Sequence, residues 1–210
     1  MKRTAFAVGG IAVLAIVALW TDCAVSQPRA SRGSVTADTP VEQLRELKVL
    51  PDPSLTPGET NPDVTQANIA DTICSKSFST GSVRDTESTP HKKASTYDTY
   101  HVPHPQNNTG ANQTCELDHL ISLENGGGDG LDNIWPECGP ANVSLNQRWF
   151  KKKDAVENYV HNGICLDVPN AKFSSGPKPS KALSLEEAQA ILRDNWFACY
   201  VKMQAGDDCN

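Results

Sequence analysis

Acidic, imidazole and amide side chains occur close together in residues 115–135. Asp118 is followed directly by His119, and Asn133 comes fourteen residues after His119. A carboxylate can bind a divalent cation, and a histidine titrates near neutral pH and can exchange protons with water or a substrate. A structural explanation is also available, because His119 can be a strand histidine hydrogen-bonded to its neighbours and Asp118 can form an ion pair with Lys153. The spacing alone leaves both explanations open.

Hydrophobic periodicity predicts the elements that position these residues. Residues 116–123 alternate in polarity, which predicts a strand with Asp118 and His119 on opposite faces. Residues 125–130 are too rich in glycine to be anything but a loop, and Ile134 begins a second short strand. With the helix predicted next along the chain, this order of strand, glycine loop, strand and helix is a ββα unit.

Two capping-box sequences predict the starts of two helices. Ser144-Leu-Asn-Gln147 predicts a helix that runs to about Asn162 and stops at Gly163. Ser184-Leu-Glu-Glu187 predicts a second helix, in which apolar residues follow at helical spacing. The expected fold class is therefore α+β.

The composition divides the chain into segments. Residues 27–63 are rich in Pro, Ser, Thr and Asp and are expected to form a disordered tether, with one or two helical turns at 41–50. The folded domain is predicted to cover residues 64–205, with a short tail at 206–210. Residues 85–114 are polar and rich in turn residues, which predicts a long surface excursion within that domain.

Residues 1–26 have the pattern of a secretory signal peptide. Lys2 and Arg3 are basic, and residues 5–20 carry no charge. Small residues indicate cleavage after Ser26, which predicts a secreted, periplasmic or cell-envelope protein. If the segment is not cleaved, it would instead anchor the chain to a membrane.

The cysteine count agrees with export. The chain has seven cysteines, and cleavage after Ser26 would remove Cys23 and leave six. An even set in an exported domain indicates three disulfides, whereas a zinc site is disfavoured because no Cys-x-x-Cys pair occurs. Fifteen pairings are possible. We favour Cys74 with Cys165, Cys115 with Cys138, and Cys199 with Cys209.

A family resemblance rests on several short motifs spread over residues 55–200. Asp118-His119, the glycines at 126 and 127, and Asn133 resemble the first two signatures of the His-Asn-His endonuclease superfamily. The chain is further similar to a group of small exported bacterial proteins within that superfamily. The motifs that carry this second similarity are Leu55-Thr-Pro-Gly, Asn61-Pro-Asp-Val-Thr-Gln, Thr72-Ile-Cys, Asp118-His-Leu-Ile, Asn133-Ile-Trp-Pro-Glu, Lys153-Asp, Glu157-Asn and Asn195-Trp.

The resemblance implies a ββα-metal (His-Me finger) core and hydrolysis of phosphodiester bonds in DNA or RNA. His119 would be the general base that takes a proton from the attacking water. Asp118 would bind one divalent metal ion, with Mg²⁺ or Mn²⁺ favoured and Zn²⁺ or Ni²⁺ as alternatives. Asn133 would hold the hairpin and orient His119.

The chain departs from this family at the third signature, where a His or Asn metal ligand is expected on the helix. His161 lies too far along the helix, so Asn146 is the candidate. Lys151 and Lys153 either grip substrate phosphates or form a solvated helix face. Glu157, one turn after Lys153, is expected to be its ion-pair partner.

Two functions from different classes remain open. The first is an exported metal-dependent endonuclease whose partner is its nucleic acid substrate. The second is an envelope-associated binding or structural module that keeps the ββα scaffold without turnover. The net charge of −6 disfavours a general nucleic-acid coat, which needs a broad basic surface, but it does not exclude local phosphate binding. No stable protein partner can be inferred.

Overall fold

The computed structural model describes residues 35–84 and 89–209, with the side chain of Lys92 left out. Within these residues the fold combines α-helices with one two-stranded antiparallel sheet, as expected for an α+β protein. No helix in these residues is both long and apolar enough to span a membrane. The predicted signal peptide lies outside them. The elements are α1 (Val41–Glu46), α2 (Pro90–Thr99), β1 (Cys115–His119), β2 (Ile134–Cys138), α3 (Trp149–Ile164) and α4 (Leu185–Ala205).

The two long helices supply the centre of the hydrophobic core. Val156 and Val160 of α3 and Leu192 and Trp196 of α4 are all fully buried in one cluster. Helix α4 begins with the predicted capping box, in which Ser184 and Glu187 bond each other's backbone N–H. At the predicted box of α3, Ser144 caps nothing, and a short 3₁₀ turn precedes the helix. The helix also continues one residue past Gly163. It therefore starts later and ends later than the sequence predicted.

The β-hairpin is short and in continuous register. β1 and β2 pair from Cys115 opposite Cys138 at the open end to His119 opposite Ile134 at the loop end. The Cys115–Cys138 disulfide joins the first of these pairs directly. His119 is therefore the last strand residue before the loop, where the backbone leaves the ladder.

The segment predicted to be a tether is folded over its described residues. Helix α1 lies in it, and Leu44, Val49 and Leu50 are buried in the core. The indole N–H of Trp196 donates to the carbonyl of Val49 (3.1 Å), which fixes this segment to α4. The folded domain therefore includes residues before the predicted boundary at residue 64. The predicted surface excursion at 85–114 likewise contains a helix, α2.

All three predicted disulfides are present. Cys74–Cys165 joins the first part of the domain to the end of α3, and Cys199–Cys209 closes a short loop after α4. Several disulfides in one small domain are typical of proteins that fold in an oxidising compartment.

Removal of Cys74–Cys165 is expected to cost more stability than removal of Cys199–Cys209. The first bond spans 91 residues and the second spans 10. The loss of loop-closure entropy in the unfolded chain corresponds to about 4–5 and about 3 kcal/mol respectively. Urea denaturation of the paired Cys→Ser variants measures both values. Equal losses, or a larger loss for the C-terminal pair, would contradict the loop-length argument.

Candidate active site

Asn133 holds the loop that joins β1 and β2. Its side chain accepts a hydrogen bond from the Ile121 N–H (2.9 Å) and donates to the carbonyls of Ile121 (2.8 Å) and Gly128 (2.8 Å). The Leu120 N–H also donates to the carbonyl of Asn133 (2.8 Å). Asn133 is fully buried, so these bonds replace its water contacts completely. The structure thus places Asn133 where it holds the hairpin, bonded to the backbone two residues beyond His119.

Close packing requires a glycine at position 127 of this loop. A Cβ atom on Gly127 would lie 1.8 Å from the carbonyl oxygen of Ile121, which no side chain tolerates. On its other side the loop contacts the segment predicted to be a tether. The Gly128 N–H donates to the carbonyl of Glu59 (2.9 Å), and the Asn61 N–H donates to that of Gly126 (2.8 Å). The loop is therefore fixed from both sides.

His119 contacts an acidic residue that the loop supplies. His119 Nε2 lies 2.7 Å from Asp129 Oδ1, and the side chain of Asp129 is only 1% exposed. Lys93 Nζ of α2 lies 2.5 Å from the same oxygen, and an Arg84 guanidinium nitrogen lies 3.6 Å from it. The side chain of His119 remains 13% exposed. An imidazole, a carboxylate and two cations thus meet at the end of the hairpin.

Burial is the main influence on the charge of His119. It lowers the pKa of the imidazole below its ordinary value, because a cation is poorly solvated there. The hydrogen bond that His119 donates to Asp129 and the charges of Asp118 and Asp129 oppose this shift without reversing it. The imidazole is therefore neutral at neutral pH and able to accept a proton.

Asp118 points into a different environment from His119, as the strand alternation predicts. Lys153 Nζ lies 2.7 Å from Asp118 Oδ2 and also forms an ion pair with Glu157. The same ammonium donates to the backbone carbonyl of His119 (2.7 Å). The structural alternative for Asp118, an ion pair with Lys153, is thus observed, and so is the predicted Lys153–Glu157 pair.

Glu137 completes this group of charges, and we call Asp118, Glu137, Lys153 and Glu157 the buried charge cluster. Glu137 is fully buried and neither of its carboxyl oxygens has a hydrogen-bond partner among the described residues. Burial raises the pKa of Glu137 well above its ordinary value, and the negative charge of Asp118 raises it further. Burial alone would lower the pKa of Lys153, but the surrounding carboxylates raise it, so the ammonium keeps its charge.

The residues predicted to bind metal do not form a metal site in this arrangement. Asp118 is paired with Lys153, and Asn146 lies exposed in the 3₁₀ turn before α3. Across residues 35–84 and 89–209, no group of three or more His, Cys, Asp or Glu is placed to hold a metal ion. A cationic ammonium against the carboxylate of Asp118 disfavours a divalent ion there by charge repulsion. The donor set therefore does not fit the implied metal.

The two lysines predicted to bind phosphate have different environments. Lys153 is 1% exposed and occupied by the buried charge cluster, so it offers nothing to a phosphate arriving from solvent. Lys151 is partly exposed and pairs with Asp154 at 2.6 Å. Between these two residues, only Lys151 remains available as a predicted phosphate ligand.

A solvent-filled cleft of about 780 Å³ adjoins Asp129. Arg84, Asp129 and the glycines on either side of Asp129 form part of one wall, and Glu59 and Asn61 form part of another. The cleft thus opens beside the carboxylate that contacts His119.

Sequence reasoning missed Asp129, Lys93 and Arg84. Asp129 lies between Gly128 and Gly130, and an acidic residue inside a glycine loop close to a histidine was the available signal. Lys93 and Arg84 gave no signal, because Lys93 lies inside, and Arg84 directly before, the segment 85–114 that was expected to be a surface excursion. Comparison of the chain with protein-family models, with curated proteins and with solved structures gave no match in any of the three.

Replacement of Asp129 by asparagine is expected to lower the pKa of His119 further. In the wild type, the carboxylate of Asp129 raises the pKa of His119 through both its hydrogen bond and its charge, and asparagine removes the charge. The shift is measured by NMR titration of the imidazole. Asp132→Asn, at an exposed position of the same loop, is the matched control and should leave the titration unchanged. An unchanged or higher His119 pKa in Asp129→Asn would exclude this coupling.

Proposed function

We propose that this chain is an exported endonuclease that hydrolyses phosphodiester bonds, with His119 as the general base. The observation that carries the proposal is the contact between His119 Nε2 and Asp129 Oδ1 at 2.7 Å, at the end of a hairpin beside an open cleft. A positioned imidazole with its second nitrogen held by a carboxylate is suited to removing a proton from water. The resemblance in the motifs around His119 and Asn133 supports the same reaction.

Asp129 would act as a positioning residue in this reaction. Its carboxylate accepts the hydrogen bond from Nε2–H of neutral His119, which leaves Nδ1 as the proton acceptor. When the imidazole takes the proton from water, the adjacent carboxylate stabilises the cation that forms. The buried position of Asp129, with Lys93 against the same oxygen, holds the carboxylate in place.

Lys93 and Arg84 are the side chains best placed to bind the substrate phosphate. Both contact Asp129, and 14% of the Lys93 side chain and 51% of the Arg84 side chain are exposed. A phosphodiester bound at this point would lie beside His119 and would contact two cations, which stabilise the charge that develops on phosphate. Local binding of this kind is compatible with a chain whose net charge is −6.

The proposal keeps only the order of elements of a ββα-metal core. β1, the glycine loop, β2 and α3 follow in the order expected of such a unit, and α3 contacts β1 through Lys153. Because the donor set around Asp118 does not fit a divalent ion, no step of the proposed reaction is assigned to a metal.

The direct test is cleavage of supercoiled plasmid DNA and of structured RNA by the purified full chain. Each substrate is incubated with chelator, with Mg²⁺ and with Mn²⁺, and His119→Ala prepared in parallel controls for contaminating nuclease. Cleavage that His119→Ala lacks supports the endonuclease. Retention of both nucleic acids intact under every condition would reject it and favour the second candidate, a binding or structural module that keeps the scaffold.

A further inference from the structure

Three oxygen atoms converge on the ammonium of Lys153 in the interior of the domain. Asp118 Oδ2 and the carbonyl oxygen of His119 each lie 2.7 Å from Nζ, and Glu157 Oε1 also contacts it. Two carboxylates and one backbone carbonyl are the ligand types that hard cations such as Ca²⁺ and Mn²⁺ accept in proteins. The side chain of Lys153 is 1% exposed, so the position is shielded from solvent ions.

We propose that the ammonium of Lys153 is the resident cation of this site and takes the position at Asp118 where a divalent metal would otherwise bind. The chain itself supplies the positive charge, and the three oxygen atoms are arranged around that charge. The site therefore has no affinity for divalent ions until Lys153 is removed.

The charges around the site argue for the same conclusion. The ammonium contacts both Asp118 and Glu157 and offsets one negative charge of this carboxylate group, which weakens the attraction for a second cation. The side chain of Lys153 is fully buried where α3 contacts β1, so no open position remains beside Asp118 on that side. Because Nζ bonds the carbonyl of His119, the internal cation also fixes the backbone that carries the imidazole.

The test measures binding of Mn²⁺ and Ca²⁺ to the full chain, so its result does not depend on nuclease activity. The wild type is expected to bind no Mn²⁺ by electron paramagnetic resonance, and its melting temperature should be the same in chelator and in Ca²⁺. Lys153→Ala is expected to melt at a lower temperature in chelator. Saturating Ca²⁺ or Mn²⁺ should raise that melting temperature by about 5–10 °C when the metal is present at about one hundred times its Kd.

Lys152→Ala is the matched control, because Lys152 lies on the same helix and packs on the rings of Trp149 and Tyr200 instead of the carboxylates. It should show no metal response. Adding Asp118→Asn to Lys153→Ala should remove the response, because the metal then loses one of its charged ligands.

Two results would overturn the proposal. The first is Mn²⁺ binding to the wild type that Asp118→Asn abolishes. The second is a folded Lys153→Ala variant whose melting temperature changes with neither metal. If Lys153→Ala does not fold under any condition, the measurement of Mn²⁺ binding to the wild type is the test of the proposal.

Chelator-insensitive cleavage by the wild type is a further expectation that rests on the proposed function. A chain without cleavage would refute that function and leave the metal-binding result intact.

Discussion

Replacement of His119 by alanine is expected to lower phosphodiester cleavage by about 10²–10⁴-fold, the range that removal of a general base produces. The folded state should change little in stability, because His119 is partly exposed and its imidazole makes its hydrogen bond with Asp129 at the edge of the cleft. Cleavage of a labelled oligonucleotide gives the rate, and thermal denaturation gives the stability. The combination of a large loss of rate and a small change in melting temperature distinguishes catalysis from a structural role.

His104→Ala is the control for this substitution, since His104 is half exposed and pairs with the exposed carboxylate of Asp98. Its cleavage rate should equal that of the wild type. If His119→Ala cleaves as well as the wild type, the general-base assignment is wrong. If it instead melts at a much lower temperature with no cleavage to lose, His119 is a structural strand residue.

The pH dependence of cleavage should follow the lowered pKa of His119. Only the neutral imidazole accepts a proton, so the rate should rise with pH and level off above the pKa. Because burial lowers that pKa from its ordinary value of 6.5, the rise should be centred below pH 6.5. The unfolded chain binds more protons than the folded chain between the two values, so His119 also contributes a loss of stability as the pH falls through this window.

Replacement of Asn133 by alanine is expected to be the most destabilising single change near the site. Asn133 is fully buried, and its side chain makes three hydrogen bonds to the backbone of Ile121 and Gly128. Alanine leaves those backbone groups without partners in the interior, which costs about 1–3 kcal/mol for each group that water cannot reach. We expect a total loss of about 3–5 kcal/mol, or a fall of roughly 10 °C in melting temperature.

Asn146→Ala is the matched control, because Asn146 is an exposed asparagine in a turn. Its melting temperature should stay within about 1–2 °C of the wild type, as is usual for a surface substitution. Chemical denaturation of both variants gives the difference in unfolding free energy. A loss below about 1 kcal/mol for Asn133→Ala would show that the loop keeps its conformation without the amide.

The sequence determined the features that depend on local spacing or on a small number of possible partners. Alternation across β1 placed Asp118 and His119 in different environments, because successive strand residues point to opposite faces. Ser184 and Glu187 formed their capping box, since both partners lie within one helical turn. The six cysteines after residue 26 paired as predicted, although fifteen pairings of them were possible.

Only the tertiary structure decided which groups surround His119 and Asp118. Asp129 contacts His119 from a loop position ten residues along the chain. Lys93 belongs to α2, a helix that was not predicted because its segment is polar in composition. Lys153 is buried although it stands in a run of three lysines, because three oxygen atoms of distant or adjacent elements compensate its charge. The desolvation cost of such a charge depends on all of its neighbours at once. The Lys153–Glu157 pair follows from local helical spacing, whereas contacts between residues far apart in the chain set the other neighbours.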